Sequence, residues 1–190
     1  MRVIAGTARS LPLAAPEGLF TRPTTDKIKE TIFNMLQMDV PSSVFLDLFS
    51  GSGSIGVEAL SRGAKKAYFV ENDAKAVSFI EKNLAFTKLR DKAVVLKQDA
   101  CSAMSTIRES QVDIIYMDPP YDCGHEKAVF ACLQDKSWVG EDTIIVAEAS
   151  LHTDFSWLPE MGFQIAERKG KPLEKRYKTN KHVFIKRISL

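Results

Sequence analysis

An α/β fold with a mostly parallel sheet and helices on both faces is what this sequence predicts, from three observations. Short apolar runs alternate with helically spaced ones for most of the length. A glycine-rich turn joins the first of these runs to a helix, and a carboxylate recurs at the end of successive runs. The pattern places strands near 44–49, 67–71, 93–97, 112–117, 143–148, 163–168 and 182–188, and helices near 24–37, 54–62, 74–87, 101–109 and 125–135. In such sheets a ligand lies at the carboxyl ends of the strands, so the residues just past each run are the first candidates for a site.

The chain opens with short apolar pieces at 2–4 and 11–14 on either side of Gly6-Thr7-Ala8-Arg9-Ser10, a small hairpin that Pro12 and Pro16 confine to an edge. In Thr21-Arg22-Pro23-Thr24-Thr25-Asp26 a threonine can cap a helix that carries Ile28, Ile32, Met35 and Leu36 on one face. Arg22 sits on the extended backbone that precedes a proline, and reads equally as a phosphate or carboxylate ligand and as a solvated charge.

The stretch that organises the rest is Val44 to Leu60, with glycines at 51, 53 and 56. They allow a tight turn, close approach of the backbone to a ligand, and close packing of a helix on the sheet. Glu71 ends the second run twenty residues after Gly51, where a carboxylate can accept from both hydroxyls of a ribose. NAD and S-adenosylmethionine share those features. Asp47 separates them: a carboxylate four residues before the first glycine would repel a pyrophosphate, whereas S-adenosylmethionine offers an ammonium and a sulfonium there. Asp99, past the third run, can accept from an adenine amino group or cap the helix that follows, and one residue can do both.

The fourth run ends in Asp118-Pro119-Pro120-Tyr121. An exocyclic amine on a nucleobase is a poor nucleophile because its lone pair is delocalised into the ring. A carboxylate and a backbone carbonyl held rigidly on one side can accept both N–H bonds and help the nitrogen pyramidalise. Asp118 and the Pro119 carbonyl suit that role, two prolines fix the backbone without competing donors, and Tyr121 offers a face on which a base can stack.

With 190 residues, 45% of them hydrophobic, the chain suits one α/β domain with a full core, residues 1–22 forming the hairpin extension and 23–190 the catalytic core. No run approaches the length of a membrane span and the start lacks a secretory apolar segment, which predicts a cytoplasmic protein. Cys101, Cys123 and Cys132 form no C-x-x-C pair and the three histidines are scattered, so reduced thiols and no metal are expected. The net charge of +2 hides an asymmetry: from Arg168 to Leu190 there are nine Lys and Arg against Glu174 alone. Interleaved with Tyr177, His182 and Phe184, this block reads as a phosphate-contacting surface.

With these residues in place, the chain resembles the RsmD family of bacterial 16S ribosomal RNA (guanine-N2) methyltransferases, which act at guanine 966. The likeness rests on Arg2-Val3-Ile4-Ala5-Gly6, Arg22-Pro23-Thr24-Thr25-Asp26, Phe33-Asn34-Met35-Leu36, Asp47-Leu48-Phe49-Ser50-Gly51-Ser52-Gly53, Glu58-Ala59-Leu60-Ser61-Arg62-Gly63-Ala64 and Asp118-Pro119-Pro120-Tyr121. It implies a Rossmann-like class I S-adenosylmethionine-dependent fold, its sheet of seven strands with the last antiparallel. It implies a monomer that methylates 16S ribosomal RNA in an assembling small subunit, with neither metal nor membrane. The cofactor is expected against Thr24, Asp47, Phe49, Gly51, Ser52, Gly53, Glu71, Asn72, Asp99 and Ala100. Chemistry is expected at Asp118, Pro119, Pro120 and Tyr121, and RNA at Arg2, Arg9, Arg22, Lys175, Arg176, Tyr177 and Lys178. Two departures concern the RNA grip: Arg9-Ser10-Leu11-Pro12 stands where the family carries an Arg-Gly-Arg-like cluster, and Tyr177-Lys178 replaces a Tyr-Gly pair. The rival readings are an adenine-N6 amino methyltransferase, a non-catalytic assembly factor that binds S-adenosylmethionine or RNA and, weakest, a dehydrogenase.

Overall fold

A computed structural model describes residues 1–15, 26–121 and 123–189 of the chain. The helices are α1 (Asp26–Met35), α2 (Ser54–Ser61), α3 (Ala74–Thr87), α4 (Ala100–Met104) and α5 (His125–Leu133). The strands are β1 (Val44–Leu48), β2 (Lys66–Val70), β3 (Ala93–Leu96), β4 (Ile114–Met117), β5 (Ile144–Ser150), β6 (Phe163–Ile165), β7 (Glu167–Arg168), β8 (Lys171–Pro172), β9 (Glu174–Arg176) and β10 (Asn180–Arg187). The main sheet runs β3-β2-β1-β4-β5-β10-β6, with β9 also paired to β10. Strands β1 to β5 are mutually parallel, and β10 lies antiparallel between β5 and β6. This is the Rossmann-like, mostly parallel sheet with an antiparallel last strand that the sequence leads one to expect, except that it holds eight strands among the described residues where seven were expected, because β6 and β9 both pair with β10.

Alternation along the central strands decides which helices cover which face. Leu46, Leu48, Tyr68, Val70, Ile115 and Met117 pack with Val129, Phe130 and Leu133 of α5 and Met104 of α4. Their neighbours Phe45, Ala67, Phe69, Ile114 and Tyr116 pack with Ile32 and Phe33 of α1, Val57 and Leu60 of α2, and Ile80 and Leu84 of α3. Each such fully buried large side chain contributes about 1.5–3 kcal/mol relative to exposure, so both faces carry a full core.

The expected strand near 163–168 is divided. Phe163–Ile165 pairs with the far half of β10 and Glu174–Arg176 with its near half. Between them the chain leaves the sheet as the β7–β8 hairpin, whose turn residues Lys169 and Gly170 have φ of 55° and 70°, as a two-residue type I′ turn needs. Ala166 donates to the Phe184 carbonyl and Leu173 to the Ala166 carbonyl, closing the hairpin's base. The helix expected to reach residue 109 stops at Met104, and the first residues of the helix expected from 24 lie outside the described residues.

The N-terminal hairpin forms: Val3 donates to the Leu11 carbonyl (3.0 Å) and Ser10 to the Val3 carbonyl (2.9 Å). It is held by Glu58 of α2, which is fully buried and accepts from the amides of Ile4 (2.8 Å) and Ala5 (3.0 Å). The same carboxylate pairs with Lys29 of α1 (3.3 Å) and Arg62 (2.7 Å). Burial pulls the Lys29 ammonium below its usual range even beside Glu58. Such a cluster adds little stability over an apolar one but is costly to break at a single partner.

Two glycines act as the sequence reading expects. Gly53 caps α2 in the left-handed region (φ 79°). Gly56 faces Phe69 of β2 so closely that an added Cβ would lie 2.3 Å from Cε1 of that ring. Gly56→Ala is therefore expected to destabilise the protein by about 1–3 kcal/mol through overpacking, against the ~1 kcal/mol that alanine gains in an open helix. Urea unfolding measures this, and an unchanged midpoint would show that α2 is seated loosely.

Candidate active site at the carboxyl rim

The carboxyl ends of β1, β2, β3 and β4 bring Phe49, Glu71, Asp99 and Asp118 to one rim of the sheet. Between α5 and the ends of β2 and β3 lies a cavity of about 290 Å³, lined by Phe49, Glu71, Asn72, Gln98, Asp99 and Ala100, with Cys101, His125, Ala128 and Val129 completing its wall. That volume is at the lower end of the range for small-molecule cavities.

Glu71 holds the glycine loop: one carboxylate oxygen accepts from the Gly51 amide at 2.8 Å and the other from the Asp73 amide at 2.9 Å. Each oxygen keeps a further lone pair for a ligand hydroxyl. Phe49 has φ 63°, a left-handed conformation unusual for an aromatic residue, and its ring lies 5.9 Å from that of His125. Ser52 offers its carbonyl to Asn83 (2.9 Å). Asp99 caps α4 by accepting from the Ser102 amide (3.0 Å), and it also lines the cavity. Gln98 was not foreseen. Its side-chain oxygen is buried and, among the described residues, without a hydrogen-bond partner, as expected of an acceptor that meets a ligand.

Asp47 does not line this cavity. It is 1% exposed, on the α2 face of the sheet, and accepts from the Gly56 amide at 3.1 Å. Burial pushes its carboxyl up to about 8. Thr24, Arg22 and the residue after Tyr121 fall outside the described residues.

Asp118 follows β4 and is half-buried, with no side-chain hydrogen bond among the described residues. Burial, together with the carboxylates of Glu148 and Asp47, drives its carboxyl well above the usual range. Pro119 is buried, Pro120 exposed and Tyr121 half-buried. The Tyr121 hydroxyl donates to Glu148 of β5 at 2.7 Å. Glu148 was missed in the sequence, although an isolated acid inside the apolar run of β5 is a signal that could have found it.

Of the proposed RNA-facing residues, Lys175, Arg176 and Lys178 are exposed and Tyr177 half-buried. They precede Asn180, which pairs with the carboxyl end of β5 and so lies at the rim. Arg176 is partly engaged by Glu174 (2.7 Å) and Arg2 by Asp26 (3.2 Å). Arg9 is exposed on the hairpin turn docked at Ser61, the end of α2 remote from the rim.

Three expectations need correction. His182 and Phe184 belong to the core and not to a phosphate-contacting surface, being 0% and 3% exposed, because β10 lies inside the sheet. Two of the C-terminal cations are structural: Lys181 donates to the Thr153 carbonyl (2.8 Å) and Arg187 to the Val139 carbonyl (3.0 Å). Cys101 and Cys132 are joined in a disulfide between α4 and α5, where the packed helices bring their Cα atoms to 5.8 Å, and only Cys123 is a free thiol. A separation of 31 residues leaves no trace of that pairing in local spacing.

The elevated Asp47 carboxyl makes a stability prediction. A carboxyl raised in the fold from 3.8 to about 8 favours the folded state at low pH, and that contribution is lost as pH rises across this window. Asp47→Asn removes the titration, so variant and wild type are expected to diverge in the variant's favour by up to ~1.4 kcal/mol per pH unit. Urea unfolding at pH 5 and 7.5 measures the gap, and parallel curves would show that Asp47 does not titrate there.

Comparison with known proteins agrees with this geometry. The family model described as "Conserved hypothetical protein 95" matches residues 1–172. The chain is 37% identical over 155 residues to "Ribosomal RNA small subunit methyltransferase D" of Haemophilus influenzae, covering 78% of each protein. It is 33% identical over 161 residues to the protein of the same name from Escherichia coli, covering 84% of this chain and 79% of that one. The solved structure of the Escherichia coli protein yhhF superposes with a TM-score of 0.84 at 30% identity, covering 100% of this chain and 99% of that one. A ribosomal protein L11 methylase from Lactobacillus delbrueckii, at 20% identity and a TM-score of 0.66, shares the fold. The chain belongs to the RsmD family of ribosomal RNA methyltransferases.

Proposed function

We propose that this protein transfers a methyl group from S-adenosylmethionine to the exocyclic N2 amine of a guanine in 16S ribosomal RNA during assembly of the small subunit. The observation that carries the reading is one rim that holds both the cavity closed by Glu71 and the Asp118-Pro119-Pro120-Tyr121 turn. The residues present fit the cofactor. Glu71 has lone pairs for a ribose, Gln98 and Asp99 offer acceptors for an adenine amino group, and Phe49 and His125 supply apolar walls. Asp47 acts from behind the loop, through the Gly56 amide. When bound, the cofactor supplies an electrophilic methyl on a sulfonium.

Chemistry at the base is left to the turn. The Asp118 carboxylate and the Pro119 carbonyl accept the two amine N–H bonds and draw the lone pair out of the ring's conjugation. Asp118 takes the proton that the nitrogen sheds as its bond to carbon forms. An elevated carboxyl is the stronger base for this, at the cost of needing a higher pH to be ionised. Tyr121, half-buried, presents a ring for stacking.

Mass mapping of ribosomal RNA from cells lacking the protein, with add-back, names the modified base. Loss of a guanine N2-methyl mark supports the reading, and loss of an adenine mark or of none refutes it. Asp118→Ala is expected to lower methyl transfer by about 10²–10³-fold, the scale of one oriented transition-state partner, while calorimetry finds affinity for S-adenosylhomocysteine nearly unchanged. The wild-type rate should rise with pH through a limb above the ordinary carboxylate range, because the ionised acceptor is the active form. An alanine variant with wild-type turnover would remove Asp118 from the mechanism.

The exposed cations beside the rim make a separate test. Replacing Lys175, Arg176 and Lys178 by glutamine is expected to weaken RNA binding and to make log K less steep in log salt by about 0.7–0.9 for each phosphate no longer neutralised, with S-adenosylhomocysteine affinity unaffected. An unchanged slope would mean that the RNA is held elsewhere.

A further inference from the structure

Glu148 is the side chain that neither the sequence reading nor the proposed chemistry uses, and its surroundings are unlike those of any other acid in the sheet. It stands in β5 among Val146, Ala147 and Ala149, is 6% exposed, and has four donors or shared partners around one carboxylate. Oε2 accepts from the Tyr116 hydroxyl at 2.9 Å and lies 3.0 Å from Nε2 of His182. Oε1 accepts from the Tyr121 hydroxyl at 2.7 Å and from the Asn180 amide at 2.5 Å. Three of these partners belong to β4 and β10, the strands on either side; the fourth, Tyr121, comes from the catalytic turn.

An acid at this depth is costly by itself, and an apolar residue would serve packing as well. What the arrangement gains is rigidity, since a buried carboxylate met by four partners holds the groups that bond to it in one geometry. Tyr116, Asn180 and His182 sit in the sheet and are fixed without Glu148. Tyr121 is not, because it lies on a half-exposed turn beyond the end of β4. We infer that Glu148 is a positioning residue: it clamps the Tyr121 hydroxyl so that the ring stands as a preset platform for the base offered to Asp118. The inference rests on the functional reading above. Its consequence is that the base is aligned by the far side of the sheet's neighbouring strand, through one hydrogen bond. Misplacement of a reacting group by about 1 Å can cost on the order of 10²-fold in rate.

The test is a double-mutant cycle with Glu148→Gln, which keeps the shape but loses the charged acceptor, and Tyr121→Phe, which keeps the ring but loses the donor. Methyl transfer to small-subunit RNA is measured in single turnover, with melting temperature and S-adenosylhomocysteine affinity alongside. Each single variant is expected to lose about 10–100-fold in rate with cofactor affinity within about twofold, and the double variant is expected to be no slower than the singles. A structural role alone would not give that non-additivity. Additive losses, or wild-type rates in both singles, overturn the inference. If Glu148→Gln does not fold, Tyr121→Phe decides alone, since it removes one hydroxyl from a half-buried ring: full activity overturns the clamp and a 10–100-fold loss supports it. A wild-type protein inert toward the RNA overturns the functional reading and this inference with it, whereas an active wild type matched by the variants overturns the inference only.

Discussion

The hydrogen bond from the Gly56 amide to the buried Asp47 carboxylate, 3.1 Å long, is the constraint on which the rest of the site depends. It ties the first turn of α2 to β1 at the one place where the helix has no Cβ and can approach Phe69 of β2. With α2 seated there, the loop from Phe49 to Gly53 has few residues in which to turn. It does so with Phe49, Gly51 and Gly53 all at positive φ. The strain at Phe49 has a use: it brings the ring to the cavity wall opposite His125. Glu71 then closes the loop from the next strand through Gly51.

Polar side chains inside the sheet follow a single geometric rule. Asp47, Tyr116, Glu148 and His182 occupy adjacent strands on the face covered by α1, α2 and α3, interrupting an otherwise apolar layer. Burial first, and then the charges of Glu148 and Asp47, raise the Asp118 carboxyl, while His182, Tyr121 and Tyr116 hold Glu148 down to about 2 despite its burial. Two acids at one rim are thus pushed in opposite directions, the one that donors reach downward and the one buried without them upward.

The N-terminal hairpin and the basic C-terminal segment, alike in sequence as edges with cations, differ in what anchors them. Glu58 fixes the hairpin through two backbone amides and is itself held by buried Lys29 and half-buried Arg62, so Arg2 and Arg9 are carried on an anchored element. In the C-terminal segment the cations fall into two groups. Lys181 and Arg187 of β10 bind carbonyls of neighbouring loops, whereas Lys175, Arg176, Lys178 and Lys186 remain exposed.

What the sequence by itself determined is whatever depends on local spacing. The short apolar runs, the three glycines and the acids at strand ends place β1 to β5, the helices between them and the residues of the rim, since each is a statement about residues a few positions apart. The resemblance carried by Arg22-Pro23-Thr24-Thr25-Asp26 and Asp118-Pro119-Pro120-Tyr121 added the expected substrate class. Only the tertiary structure decided the rest. Cys101 meets Cys132 because α4 packs on α5, His182 is buried because β10 inserts between β5 and β6, and Glu148 reaches Tyr121 because β5 lies beside β4. Those pairs are separated by 27 residues or more along the chain or depend on the order of strands across the sheet. A single sequence records the pleat of each strand and not which strand becomes its neighbour.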